Sequence, residues 1–152
     1  MLIAALLVNA ENISFHNPAS SKKRVIETLS QMLAVNTTAT TAENIFQVLL
    51  ERERLGSTGL GKGVAIPHAR LPGLTHTIAA MLTLESPIDF DAADNQPVDI
   101  AFGLLVPEDD TEHHLQHLSR LVALFRDAET CKKIRNAQSS DEIFELLLAI
   151  DD

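Results

Sequence analysis

The chain has 152 residues, about the usual length of one domain, and 45% of them are hydrophobic while 22% are charged, as is ordinary for a globular protein. Its formal net charge of −9 argues against binding nucleic acid, because neutralising phosphates requires an excess of Lys and Arg. The single cysteine, Cys131, excludes an intramolecular disulfide and a cysteine-based zinc cluster.

The chain begins with the apolar run MLIAALLV, which is too short to span a bilayer. The run also lacks the basic start and the small-residue cleavage site of a signal peptide. We therefore predict a short terminal helix or strand that packs on the domain. We expect a cytoplasmic protein with no direct membrane insertion.

Two helices are predicted next, over residues 19–36 and residues 40–55, because apolar residues recur there at helical spacing. Thr40 and Glu43 have the spacing of a capping box at the start of the second helix. Gly56 is expected to end that helix, since helices commonly end at a glycine.

Three later segments read as strands: residues 63–67, 76–85 and 98–107. The last of them contains a nearly continuous apolar run, as expected of a strand buried on both faces. Further helices are predicted over residues 110–127, 128–137 and 139–150. Strands mixed with helices on a chain of this length predict an α/β layered domain with a central sheet.

A glycine-rich segment leads to one histidine. Four of the six glycines lie within residues 56–63, and Ile-Pro-His follows at residues 66–68. Pro67 fixes its own φ and restricts the residue before it, while the glycines allow backbone N–H groups to approach an anion. The segment is not a P-loop, because Gly-Lys-Ser/Thr is missing, and it lacks the order of a dinucleotide fingerprint. The pattern indicates that His68 is presented beside a loop that could bind an anion; the plain alternative is a flexible loop with an incidental histidine.

Two kinds of chemistry fit a histidine in this setting. It could act as a general base or as a nucleophile that forms a covalent intermediate. A base usually needs a nucleophile or metal nearby, whereas a phosphoryl acceptor needs only its ring nitrogen, a second donor and a cation. Arg52 could supply the cation, and Ser57 and Thr58 could supply hydroxyl donors.

Three more histidines lie in the segment EHHLQH. His113 and His117 are at i, i+4, which first suggests a metal site, but the residue after His113 is His114 where a zincin has Glu, and we predict no metal. The apolar stripe of the helix is read as Leu115, Leu118, Leu121, Val122 and Phe125. On a helical wheel, His114 then lies at the edge of the stripe and points to the domain body, whereas His113 and His117 point toward solvent.

These motifs together resemble a known family. The segments RERLGSTGLGKGVAIPHAR and HLQHLS are similar to the fructose/mannitol-type enzyme IIA domain of the bacterial phosphoenolpyruvate-dependent sugar phosphotransferase system. The segment DFDAADNQPVDIAFGLLVPEDDTEHHLQHLS looks most like the nitrogen-regulatory branch of that family. The resemblance covers residues 2–148 and implies one α/β domain over residues 1–152, with a mixed central β-sheet flanked by helices.

The resemblance also implies a mechanism. It makes His68 the residue that receives a phosphoryl group, as a tele-phosphohistidine, from the phosphohistidine of an HPr-like carrier protein. His114, in the His-Leu-x-x-Leu-Ser motif, would donate a hydrogen bond to the phosphoryl group, and Arg52, four residues before Gly-Ser-Thr, would offset its charge. Further donors that position the phosphate would be Ser57, Thr58 and Gly59. No nucleotide, metal or other cofactor is expected, because the donor is already activated.

Three purposes are compatible with this pattern. The first is regulation, in which the phosphorylation state controls binding to a partner such as a potassium transporter or a sensor kinase, two types that the family suggests. The second is metabolic, in which the protein passes phosphate to the cysteine of a IIB domain during sugar uptake. The third is a binding domain of the same fold class in which His68 is inert.

Overall fold

The computed structural model describes residues 3–150. The helices are α1 Ile3–Leu7, α2 Lys22–Ala34, α3 Ala42–Leu55, α4 Thr111–Arg126, α5 Ala128–Asn136 and α6 Ser140–Ile150. The strands are β1 Ile13–Asn17, β2 Gly59–Gly61, β3 Val64–Ala65, β4 His68–Leu71, β5 Ile78–Ile88 and β6 Val98–Pro107. All predicted helices and strands are confirmed; Met1 and Leu2 of the predicted N-terminal element lie outside the described residues. No helix within the described range is long and apolar enough to cross a membrane.

The strands form one mixed sheet, which confirms the predicted fold class. Within residues 3–150 the order is β1-β5-β6-β3-β2, and β4 also pairs with β6. Strands β1 and β5 are parallel, β5 and β6 are antiparallel, and both β3 and β4 run parallel to β6. The two short strands β3 and β4 therefore follow one another along the same side of β6, with residues 66–67 between them.

Helices cover both faces of the sheet. Along β6, Phe102 and Leu104 belong to the apolar cluster formed with α1, α4, α5 and α6, whereas Ala101 and Leu105 belong to the cluster formed with α2 and α3. This alternation is what a strand buried on both faces produces. Gly103 faces α2 closely, since a Cβ atom there would lie 3.3 Å from the Leu29 side chain. Helix α2 is thus packed tightly against the sheet that carries the site.

The predicted capping box of α3 is wrong by one residue. Thr41 is the N-cap, and its hydroxyl accepts a hydrogen bond from the Asn44 amide at 3.2 Å. The Thr40 hydroxyl instead accepts from the Asn44 side chain at 2.8 Å. Only Thr40 has capping-box spacing, but either threonine can serve as an N-cap, and because the helix begins at Ala42 the capping position falls on Thr41. Gly56 ends the helix as predicted, with its N–H donating to the Glu53 carbonyl.

Candidate active site

His68 is the first residue of β4, and its direction follows from the strand. Ala69 and Leu71 belong to the apolar cluster on the α2 and α3 face of the sheet. Because successive side chains in a strand point to opposite faces, His68 and Arg70 point to the other face, where α4 lies. Pairing of His68 with Leu104 on the buried strand β6 fixes this placement.

The ring of His68 is held in one orientation by its own backbone. Its Nδ1 lies 2.7 Å from the carbonyl oxygen of Ile66. A carbonyl oxygen can only accept a hydrogen bond, so Nδ1 must carry the proton and Nε2 keeps its lone pair. The nucleophilic nitrogen is therefore the one at the far end of the ring from the backbone.

Four effects act on the pKa of His68, two that lower it and two that raise it. Burial is the largest and lowers the pKa below its ordinary value, and it outweighs the hydrogen bond to Ile66, which raises it. The charge on Arg52 lowers the pKa further, and the charge on Glu53 raises it by less. The net result favours the neutral ring, which is the nucleophilic form.

His114 lies beside His68, as the sequence predicts. The two ring centroids are 5.5 Å apart and the rings are nearly perpendicular, at 88°. Burial lowers the pKa of His114, and the charges of His68 and Arg70 lower it further. A neutral His114 can still donate one ring N–H to an anion that arrives between the two rings.

The two histidines line a pocket of about 410 Å³ at the surface. Its walls are formed by Arg52, His68, Ala69, Arg70, Thr111, His114 and Leu115. Arg52 lies in the last turn of α3 and donates from Nη1 to the Gly56 carbonyl at 2.9 Å, which holds its guanidinium at the end of the helix. The structure thus brings together the three residues that were predicted to be catalytic.

Ser57, Thr58 and Gly59 are placed differently, since none of them is among the residues that line this pocket. The Ser57 hydroxyl donates to the Phe90 carbonyl at 2.9 Å and accepts from the Gly59 amide at 3.1 Å. A Cβ atom on Gly59 would lie 2.8 Å from the Cβ of Ala92, so only glycine fits there. The three residues shape the loop, and their direct contact with a phosphoryl group stays a prediction.

The glycine-rich turn does bind an anion, but the anion is a side chain of the protein. The Lys62 amide donates to Asp94 at 2.9 Å. Hydrogen bonds from the amides of Lys62 and Gln96 lower the pKa of Asp94. Gly63 has φ +84°, and a Cβ atom there would collide with the guanidinium of Arg135. The turn is therefore a structural connection that closes on segments distant in sequence.

Glu53 is a residue of the site region that sequence reasoning missed. Its side chain is only 3% exposed and lies 3.1 Å from Lys22 Nζ. Its carboxylate accepts hydrogen bonds from the Thr58 amide at 3.1 Å and from the Thr58 hydroxyl. It ties the start of α2 and the end of α3 to the loop. The sequence does contain a signal for this burial, because Glu53 continues the i, i+4 spacing of Ile45 and Leu49 on the buried face of α3.

The prediction for the other histidines of α4 is half right. His113 is exposed, with Nδ1 2.8 Å from Asp110, as expected of a surface residue. The prediction that His117 points toward solvent is wrong, because this residue is only 3% exposed, whereas Leu115 is 70% exposed. The buried residues of α4 are His117, Leu121, Leu124 and Phe125. Including Leu115 in the predicted apolar stripe therefore moved the predicted buried face away from His117. Within residues 3–150 no group of three or more His, Cys, Asp or Glu is arranged to hold a metal ion.

The lowered pKa of His68 predicts how the site responds to pH. We expect the ring to be half protonated only below the ordinary histidine value of about 6.5, because burial disfavours the charged form. NMR of the ring nitrogens, followed from about pH 8 to about pH 5, measures this midpoint and identifies the tautomer. The chain unfolded in urea serves as the control. A midpoint above that of the unfolded chain, or a proton on Nε2 at neutral pH, would contradict the prediction.

Comparisons with known proteins agree with this geometry. A family model described as "Phosphoenolpyruvate-dependent sugar phosphotransferase system, EIIA 2" matches residues 6–150. A nitrogen regulatory protein of Pseudomonas aeruginosa is 42% identical over 133 residues, which cover 88% of this chain and 86% of the relative. The fructose-specific EIIA component of a PTS system from Haloferax volcanii is 31% identical over 140 residues, covering 92% of this chain and 91% of the relative.

A solved structure gives the same result. The crystal structure of nitrogen regulatory protein IIA-Ntr from Neisseria meningitidis superimposes with a TM-score of 0.90 at 36% identity, covering 95% of this chain and 98% of that one. Sequence and fold thus both place this chain beside nitrogen regulatory proteins. The chain belongs to the EIIA 2 family of the phosphoenolpyruvate-dependent sugar phosphotransferase system.

Proposed function

We propose that this chain is a phosphohistidine carrier of a nitrogen-regulatory phosphotransferase system, with His68 as the acceptor. The observation that carries the proposal is the hydrogen bond from His68 Nδ1 to the Ile66 carbonyl. That bond leaves the lone pair of Nε2 for the pocket that Arg52 and His114 also line. The donor in this proposal is the phosphohistidine of an HPr-like carrier protein.

The transfer step exchanges one phosphorus–nitrogen bond for another. The bond between phosphorus and the ring nitrogen of the donor breaks, and that nitrogen keeps the electron pair. The lone pair of His68 Nε2 forms the new bond in line with the departing nitrogen. The positive charge that develops on the His68 ring is shared with the Ile66 carbonyl through the Nδ1–H, so no proton has to leave the acceptor during the step.

The other site residues have supporting roles in this proposal. Arg52 offsets the charge on the phosphoryl oxygens with the N–H groups of its guanidinium that do not donate to Gly56. His114 donates one N–H to an oxygen of the incoming group. Ser57, Thr58 and Gly59 position the phosphate through the shape of the loop that connects Arg52 to His68.

The purpose of the transfer in this proposal is regulation in the cytoplasm. A phosphoryl group adds roughly −1.5 to −2 charges to a chain whose formal net charge is −9. The phosphorylated and unphosphorylated forms differ in surface charge and can therefore bind different protein partners, such as a potassium transporter or a sensor kinase. The relatives named nitrogen regulatory proteins support this reading.

The proposal is tested by intact mass spectrometry of the wild-type chain. After incubation with phosphoenolpyruvate, enzyme I and an HPr-type carrier, we expect one acid-labile phosphoryl group, and peptide mapping at alkaline pH should place it on His68. A reaction without the carrier is the control. Absence of the added mass with every HPr-type carrier of the same cell would leave the inert binding domain as the better account.

Sugar transport is the second candidate, and the fructose-specific relative favours it. The two functions differ in what removes the phosphoryl group. A carrier in sugar transport passes it to the cysteine of a IIB domain, so addition of IIB and sugar to the phosphorylated chain should discharge His68 within seconds to minutes. A regulatory protein keeps the group under the same conditions.

A further inference from the structure

We propose that Arg70 is a second phosphoryl-binding residue of this site, which holds the oxygens of the group on His68 together with Arg52. The inference rests on the proposed function and extends it, because neither the motifs nor the resemblance assigns a role to this residue. It is carried by the position of Arg70 on β4 and by the freedom of its guanidinium.

The strand places Arg70 next to the acceptor. His68 and Arg70 are two residues apart in β4 and point to the same face of the sheet, about 6.6 Å apart at the backbone. Both line the pocket together with His114. An arginine side chain is long enough to bring its guanidinium over a group attached to the His68 ring.

The charge of Arg70 already acts inside the pocket. It lowers the pKa of His114, and its effect there is larger than that of Arg52. Within residues 3–150 the guanidinium of Arg70 makes no hydrogen bond or ion pair, whereas Arg52 donates to Gly56 and Arg135 is paired with Asp99. Arg70 is therefore a cation that faces the site and has its donors available.

A second cation would stabilise the charge of a phosphoryl group on His68. It carries roughly two negative charges over three oxygens, and one arginine in its forked geometry contacts two oxygens at most. One N–H of Arg52 already donates to the Gly56 carbonyl. Arg70 approaches from the strand, Arg52 from the end of α3 and His114 from α4, so that three elements surround the position above His68.

The matched control is Arg54, which is exposed, like Arg70, and has the same charge. It lies two residues beyond Arg52 on α3, about 200° around the helix, and it is not among the residues that line the pocket. Loss of either arginine changes the net charge of the chain equally. Only Arg70→Ala should change the environment of a group on His68.

The test uses a small-molecule donor so that no protein partner is involved. Phosphoramidate labels the wild type, Arg70→Ala, Arg70→Lys and Arg54→Ala, and ³¹P NMR follows the phosphoryl group as pH changes. Loss of a nearby cation makes the dianion less stable, so we expect the phosphoryl pKa of Arg70→Ala to be about 0.5 to 1 higher than in wild type. Arg54→Ala should titrate like wild type, and Arg70→Lys should recover most of the difference because it keeps the charge.

Each outcome decides the question. A phosphoryl pKa in Arg70→Ala equal to that of wild type overturns the proposal, even if transfer from the carrier is slower, because Arg70 would then contact only the partner. A raised pKa with no transfer from any HPr-type carrier supports Arg70 and contradicts the proposed donor. If phosphoramidate does not label the wild type, the same titration uses chains labelled through the HPr-type carrier, and failure of both donors to label His68 overturns both proposals.

Discussion

A chain carrying His68→Ala is expected to accept no phosphoryl group from an HPr-type carrier, whereas the wild type gains one. The substitution removes Nε2, the nitrogen of His68 that keeps its lone pair because the Ile66 carbonyl holds the proton on Nδ1. The neighbouring His114 is not expected to replace it, because within residues 3–150 no hydrogen bond fixes the ring of His114 as the Ile66 carbonyl fixes that of His68. Acid-labile mass gain measures the result.

Variants of two other histidines distinguish the acceptor from a residue that only assists the transfer. His114→Ala keeps the acceptor and loses one hydrogen bond to a charged group, worth about 1.5 to 3 kcal/mol, so transfer should slow by roughly 10- to 150-fold without stopping. His113→Ala removes an exposed ring on the same helix and should leave the rate unchanged. Phosphorylation of His68→Ala at the wild-type rate would sink the assignment of the acceptor.

The second large effect is expected from Lys22→Met, which should lower the free energy of unfolding by about 3 kcal/mol. Lys22 is the cation 3.1 Å from Glu53, whose side chain is only 3% exposed. Removing the cation leaves a buried carboxylate without its counter-charge, and the hydrogen bonds from Thr58 do not replace it. The estimate is at the lower end for a buried pair because the Lys22 side chain is 22% exposed.

Urea denaturation of three variants tests this pair. Lys23→Met removes an exposed lysine from the next position of α2 and should change stability little. Lys22→Met combined with Glu53→Gln should recover part of the loss, because the uncompensated charge is gone while the amide still accepts from Thr58. Equal stability of Lys22→Met and Lys23→Met would show that the pair contributes nothing measurable.

The sequence predicted the long elements of the fold because their signals are redundant. Helix α2 has apolar residues at helical spacing over 13 residues, and strand β6 has a nearly continuous apolar run that is bounded by Pro97 and Pro107. Strand β4 has four residues, too few for a period to show, and it exists because β6 offers a free side after β3 ends. A strand that depends on a neighbour distant in sequence leaves almost no local pattern.

Errors at single positions arose where a polar residue takes a core position. Glu53 and His117 both lie on the buried faces of their helices, while apolar Leu115 lies at the mouth of the pocket. Hydrophobicity alone assigns each of them to the opposite side. The pocket brings Arg52, His68 and His114 together as the motifs predicted. The placement of Arg70 could not be predicted, because it follows from the direction of β4.

The position of β4 at the rim of the sheet has a consequence for how the chain behaves at high concentration. Among residues 3–150 this strand pairs with β6 alone, so one side of its backbone is unpaired within the sheet. Unpaired strand edges recruit strands of other molecules and begin aggregation, unless they are short, charged or interrupted by proline. Here the edge has four residues, carries a guanidinium at Arg70 and stops at Pro72. The chain can thus leave its reactive segment open to collision with other proteins without offering them a template for fibrils.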